Sequence, residues 1–147
     1  MEPNVLITIE GQQWSGEEKP EAVKLTTEGT MFHREKAWFI VYDESEATGM
    51  EGTRTTMRVG DDGVVTLLRQ GTHGMKLTFN AGARHITRME TPYGDLDVGI
   101  YTSLVENKLS RRGGSVHLGY TIDFNQQEPV NTRLSLTVKA LRMKSGS

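Results

Sequence analysis

Three residues of this chain combine type and spacing in a way that could hold an anion: Tyr42, Glu44 and Arg69. Tyr42 follows Trp38 and Ile40 at intervals of two, and Glu44 lies two residues further on. Arg69 continues the row of Val65 and Leu67 in the same way. Side chains on a strand point alternately to its two faces, so inward apolar rows would carry these polar groups to their inner ends. A guanidinium there needs an acceptor and can take a carboxylate or phosphate through two parallel hydrogen bonds. Two readings follow. In one, Arg69 grips a ligand anion while Tyr42 and Glu44 position it. In the other, Arg69 and Glu44 form an ion pair that closes one barrel end and fixes register.

Other polar residues join the candidate lining. Thr55, Thr102 and Tyr120 sit on apolar rows, where they either face an interior or bond across strands. Thr91-Pro92-Tyr93-Gly94 places Tyr93 at a cavity rim, or else is a well-made type I turn. The candidate binding set is therefore Tyr42, Glu44, Arg69, Tyr93, Thr102 and Tyr120.

Catalytic and metal chemistry find less support. His33, His73, His85 and His117 are not spaced at two or four from one another or from a matched carboxylate, and read as surface or turn residues. There is no cysteine, which excludes disulfides, thiolate zinc sites and a Cys nucleophile. No Gly-x-Ser-x-Gly string occurs, and no glycine loop precedes a helix to cradle phosphate. Carboxylates cluster in turns (Glu17-Glu18, Asp61-Asp62), while Asp95 and Asp97 share an outward face. The expectation is a non-enzyme with no catalytic residue, no metal and no cofactor.

A formal net charge of -2 argues against a nucleic-acid surface, because neutralising phosphates supplies the affinity of such surfaces. Arg111-Arg112, Lys139, Arg142 and Lys144 form a local basic exception, read as a solvated loop and a frayed tail. Phe39 and Tyr101 lie opposite the main apolar rows and suggest a small second core or an oligomer contact. No run approaches the roughly 20 apolar residues that span a bilayer. The start, Met1 to Asn4, is acidic, and Val5 to Ile9 is too short for a signal peptide. The expected protein is cytoplasmic, with neither nucleic acid nor membrane among its partners, and nothing here sets its oligomeric state.

The elements that must position these residues are strands. Val5-Ile7-Ile9, Trp38-Ile40-Tyr42, Leu96-Val98-Ile100-Thr102 and Val116-Leu118-Tyr120-Ile122-Phe124 alternate with a period of two. Strands are expected at 4–11, 22–34, 37–44, 53–59, 64–70, 75–80, 83–90, 95–103, 115–125 and 130–141. Gly29 marks a bend inside the second, and Leu104 to Leu109 is a weak helical turn. Glu35-Lys36, Gly60 to Gly63, Ala81-Gly82 and Gln126 to Pro129 make short turns. The fold class is all-β: one domain over 1–147, about 143–147 being a disordered tail. Consecutive hairpins favour an antiparallel up-and-down barrel of eight to ten strands over a Greek-key sandwich. Closure would leave no free edge, and a barrel of this size is either filled or holds one small ligand.

Tyr42-Asp43-Glu44, Arg69-Gln70-Gly71 and Thr91 to Gly94 recur in this order in one family, together with Gly29, Phe32, Thr55-Thr56, Thr102 and Gly119-Tyr120. On these strings the chain resembles the YwiB-like family of uncharacterised bacterial β-barrel proteins. The resemblance covers nearly the whole chain. It implies a calycin-like barrel, related in architecture to lipocalins and fatty-acid-binding proteins, and implies no activity. Arg111 to Gly114 lies outside the family pattern. The function expected is non-enzymatic binding of a small amphiphilic or anionic ligand inside the barrel. The alternative is a structural or protein-interaction module with a solid core. A cavity of a few hundred Å3 open to Arg69 would separate the two.

Overall fold

The computed structural model describes residues 2–46, 50–71, 74–91 and 93–141; the expected tail, 143–147, lies outside them. The ten strands are β1 (Val5–Trp14), β2 (Glu21–Arg34), β3 (Ala37–Asp43), β4 (Thr53–Gly60) and β5 (Val65–Gly71), then β6 (Met75–Phe79), β7 (Arg84–Thr91), β8 (Gly94–Ser110), β9 (Gly113–Phe124) and β10 (Val130–Ala140). Among the described residues there is no helix long and apolar enough to cross a membrane. All pairings are antiparallel, in the order β6-β5-β4-β3-β2-β1-β10-β9-β8-β7. Every neighbour is consecutive in sequence except β1 and β10, which pair from Val5↔Ala140 to Trp14↔Asn131. The meander therefore wraps round until its first and last strands meet.

Closure is incomplete at a seam between β6 and β7. These two strands are the ends of the hydrogen-bonded order, and β6 is only five residues long. A bond from the Thr87 hydroxyl to the Lys76 carbonyl, at 2.8 Å, crosses between them.

Two elements run further than local sequence suggests. β1 continues past Gly11 to Trp14 because both of its edges are occupied, by β2 and β10. β8 absorbs the expected helical turn at 104–109, with a bulge between Thr102 and Leu104. Ser103 is the extra residue, and its hydroxyl donates to the Gly119 carbonyl at 3.1 Å. Beyond it Leu104 to Ser110 pairs with Gly113 to Gly119, so ladder bonds on β9 replace the local ones a helix would make.

The corner of the barrel is Gly29. Residues 21–29 of β2 pair with β1, whereas 30–34 pair with β3. A Cβ at Gly29 would stand 2.5 Å from Ile7 Cδ1 and 2.6 Å from the Val41 carbonyl oxygen. Only glycine lets the strand pass that close while it changes partners. Because β3 takes up only the second half of β2, the first half is left with β1 alone, and the wall is open there.

Inward rows explain the core. In β4 Thr53, Thr55, Met57 and Val59 are buried in alternation with their neighbours. Val5, Ala37, Val59, Val65, Val116 and Val138 fill one end solidly. At the other end the inward positions include Gly11, Gln13, Glu21 and Val23, which leave space.

Candidate functional site

Register alone places the central row of the site. Tyr42 on β3 pairs with Thr55 on β4, Thr55 with Arg69 on β5, and Arg69 with Met75 on β6. Glu44 follows directly after β3, its amide donating to the Thr53 carbonyl at 2.8 Å. The Thr55 hydroxyl donates to Glu44 Oε1 at 2.6 Å, and Arg69 Nε lies 3.9 Å from the same oxygen. The Glu44 side chain is 2% exposed and that of Arg69 22%. At 3.9 Å the pair is an ion pair without a hydrogen bond, and Arg69 Nε is buried with no hydrogen-bond partner. The carboxylate is thus held by Thr55, while the guanidinium is left with bonding capacity to spare.

Burial pushes the Tyr42 phenol up to about 12, the Glu44 charge adding to the shift and Arg69 opposing it. Tyr42 therefore remains a hydrogen-bond donor throughout the neutral range. Across the interior, Tyr120 on β9 pairs with Thr132 on β10. The Tyr120 ring packs against Phe79 with centroids 4.7 Å apart. Its hydroxyl is also pushed up by burial and eased by the Arg69 charge, which faces it across the barrel. Thr132 is 4% exposed, and its hydroxyl stands beside that of Tyr120 and eases the same shift.

Between these walls lies a cavity of about 370 Å3. Tyr42, Arg69, Tyr120 and Thr132 form its polar lining; Met57, Leu67, Met75, Leu77, Leu134 and Leu136 are apolar wall, with Phe79 beside Tyr120. Gly11 and Gln13 of β1, with Glu21 and Val23 on the half of β2 that pairs with β1 alone, edge its mouth. Three of the six expected site residues (Tyr42, Arg69 and Tyr120) meet here, with Glu44 directly behind Arg69.

The other two lie elsewhere. Thr102 is fully buried and pairs with Tyr120, yet it is outside the cavity lining. Its amide donates to the Ala83 carbonyl at 3.2 Å, and its carbonyl accepts from the Gly82 amide at 2.8 Å, so its backbone ties down the start of β7. Tyr93 is fully exposed at the β7–β8 turn and stands outside the cavity rather than at its rim. Thr132, with Gln13 and Glu21 at the mouth, is polar lining that sequence reasoning missed. Its signal was present: Thr132, Leu134, Leu136 and Val138 alternate as one inward row.

The histidines remain apart. His33 Nε2 lies 3.6 Å from Asp61, His117 Nδ1 lies 2.8 Å from Ser135 Oγ, and His85 Nε2 is buried without a partner. His73 falls outside the described residues. Among the described residues no group of three or more His, Cys, Asp or Glu side chains could hold a metal ion.

A ten-stranded antiparallel meander, wrapped so that its two terminal strands pair, defines a calycin-like barrel. The chain belongs to the family described as Domain of unknown function (DUF1934), whose model matches residues 7–136. It is similar in structure to the ywiB protein from Bacillus subtilis, with a TM-score of 0.76 over 95% of this chain and 93% of that one. Identity between the two is 16%, so the likeness is one of fold. No curated protein matches the chain.

Proposed function

We propose that the barrel is a non-enzymatic, cytoplasmic binder of one small amphiphilic anion. The observation that carries this reading is the cavity of about 370 Å3 lined by an Arg69 side chain whose Nε has no hydrogen-bond partner. An open interior supports a ligand-binding barrel over a solid interaction module. At roughly 30 Å3 per non-hydrogen atom, the space suits on the order of a dozen atoms. The anionic head accepts from the Arg69 fork and from the Tyr42 and Tyr120 hydroxyls, while the tail lies on Met57, Leu67, Leu77 and Leu134. Glu44, 3.9 Å from Arg69, offsets part of the cation's charge, which favours a singly charged head such as a carboxylate over a dianion.

Titration calorimetry with decanoate tests this. The wild type binds, and Arg69→Ala loses about 1.5–3 kcal/mol, the worth of hydrogen bonds to a charged group. Glu44→Gln binds decanoate more tightly, because the competing carboxylate is gone while an acceptor for Thr55 remains. Equal affinity in the wild type and a folded Arg69→Ala protein would overturn the assignment.

A further inference from the structure

The end of the barrel away from Arg69 carries a second depression, of about 560 Å3. We infer that it binds a free mononucleotide, the base against Trp38 and the phosphate on Arg111. Trp38 and Tyr42 lie towards opposite ends of β3, so this site is separate from the interior cavity and independent of its ligand. Its aromatic residues, Phe32, His33 and Trp38, come from the β2–β3 hairpin, with Met31 and Asn4 beside them. His33 and Trp38 meet edge to face with centroids 4.9 Å apart. Flat, electron-rich rings of this kind take a planar base by stacking.

Arg111 reaches the same depression from the β8–β9 turn. The turn is rigid. The Ser110 hydroxyl donates to the Gly113 carbonyl at 3.1 Å and accepts from the Arg112 amide at 3.3 Å. Gly113 and Gly114 have φ of 117° and 133°, and a Cβ on them would overlap the carbonyl oxygens of Val138 and Lys108. The arginine pair that the family pattern leaves unexplained therefore precedes a glycine pair whose backbone other residues could not adopt. Arg111 makes no ion pair among the described residues, and a planar guanidinium suits phosphate oxygens.

The opposite wall is equally fixed. Asn4 donates from Nδ2 to the Met31 carbonyl at 2.9 Å and accepts the Met31 amide on Oδ1 at 2.8 Å, extending the β1–β2 contact beyond its ladder. Asp61, 3.6 Å from His33, repels phosphate from the histidine side and directs it towards Arg111. With Glu35 and Asp62 on neighbouring turns and a net charge of -2, this end is a poor track for the successive phosphates of a strand. The volume suits on the order of twenty non-hydrogen atoms at roughly 30 Å3 each, the scale of one nucleotide.

The chain has two tryptophans, so Trp14→Phe leaves Trp38 as sole fluorescent reporter. Millimolar AMP is expected to change Trp38 emission, with adenosine binding about tenfold more weakly for want of the charged contact. Arg111→Ala, an exposed turn substitution, should reduce AMP affinity to the adenosine level and leave adenosine binding unchanged. Arg111→Lys should restore part of it. No emission change with AMP in the folded protein would overturn the inference. So would AMP affinity indifferent to Arg111→Ala, or binding of a short single-stranded oligonucleotide where AMP fails.

Discussion

The two ends of this barrel are built from the same strands and differ in what their inward rows end on. At one end the rows finish in Val5, Val59, Val116 and Val138, all nearly inaccessible, and the interior is solid. At the other they finish in Gly11, Gln13, Glu21, Arg69 and Thr132, and the interior is hollow. Hydrophobic burial does not require a full barrel; it requires enough large side chains at one level of it. The hollow end is then free to carry polar groups that the solid end could not tolerate. β1 and β10, pairing over ten residues each way, run through both ends and keep them in register.

The comparison can be broken most sharply at the corner that both ends share. Gly29→Val should destabilise by about 3 kcal/mol or more, since its Cβ meets the Val41 backbone, which cannot move aside. Urea unfolding measures it, and a near-neutral result would mean that β2 has another way round the corner. Next in size is a matched pair of truncations. Ile40→Ala in the solid region should cost about 3–4 kcal/mol, because it leaves a new void in packed surroundings. Leu134→Ala, already beside the cavity and only half-buried, should cost about 1 kcal/mol less than the low end of that range. Similar costs at both positions would mean the cavity is collapsed in solution.

A smaller effect concerns alkaline pH. Tyr42 titrates at about 12 when folded and at 10.0 by default, so the folded state disfavours its ionised form. The corresponding stability is complete below pH 10 and is lost as pH rises towards 12. Tyr42→Phe should flatten that stretch of the stability curve. The smallest effect is at the β2–β3 turn, where Glu35 and Lys36 sit at φ of 52° and 63°. Replacing them with Asn-Gly, which adopts this conformation more readily, should stabilise by about 1 kcal/mol, read as a raised urea midpoint.

Much of this was legible from the chain alone. Period-two rows announce the strands because one face of each is buried, and Gly29 announces its own bend. Tyr42, Glu44 and Arg69 could be grouped because each continues a period-two apolar row; Thr55 as their link could not, since the long 44–52 connection leaves the β3–β4 register open. The bulge at Ser103 was not legible: one extra residue shifts the alternation of β8, so Leu104 to Leu109 loses its strand rhythm. Tyr93 and Thr102 were misplaced for a related reason. Period two says which side of the sheet a residue faces; whether it reaches the hollow or the solid part depends on strand tilt and on where the wall opens. Thr132 belonged to a visible row and was passed over because a lone threonine among leucines looks like ordinary strand composition.

The central claim is that the hollow end holds an amphiphilic anion with its head on Arg69. Intermolecular NOE measurement on the protein with bound decanoate tests this directly. The account predicts contacts from the decanoate chain to the methyl groups of Met57, Leu67 and Leu77, with the Arg69 guanidinium resonances shifted. Contacts instead to the outward side chains Val41 and Leu68, with Arg69 unperturbed, would contradict it.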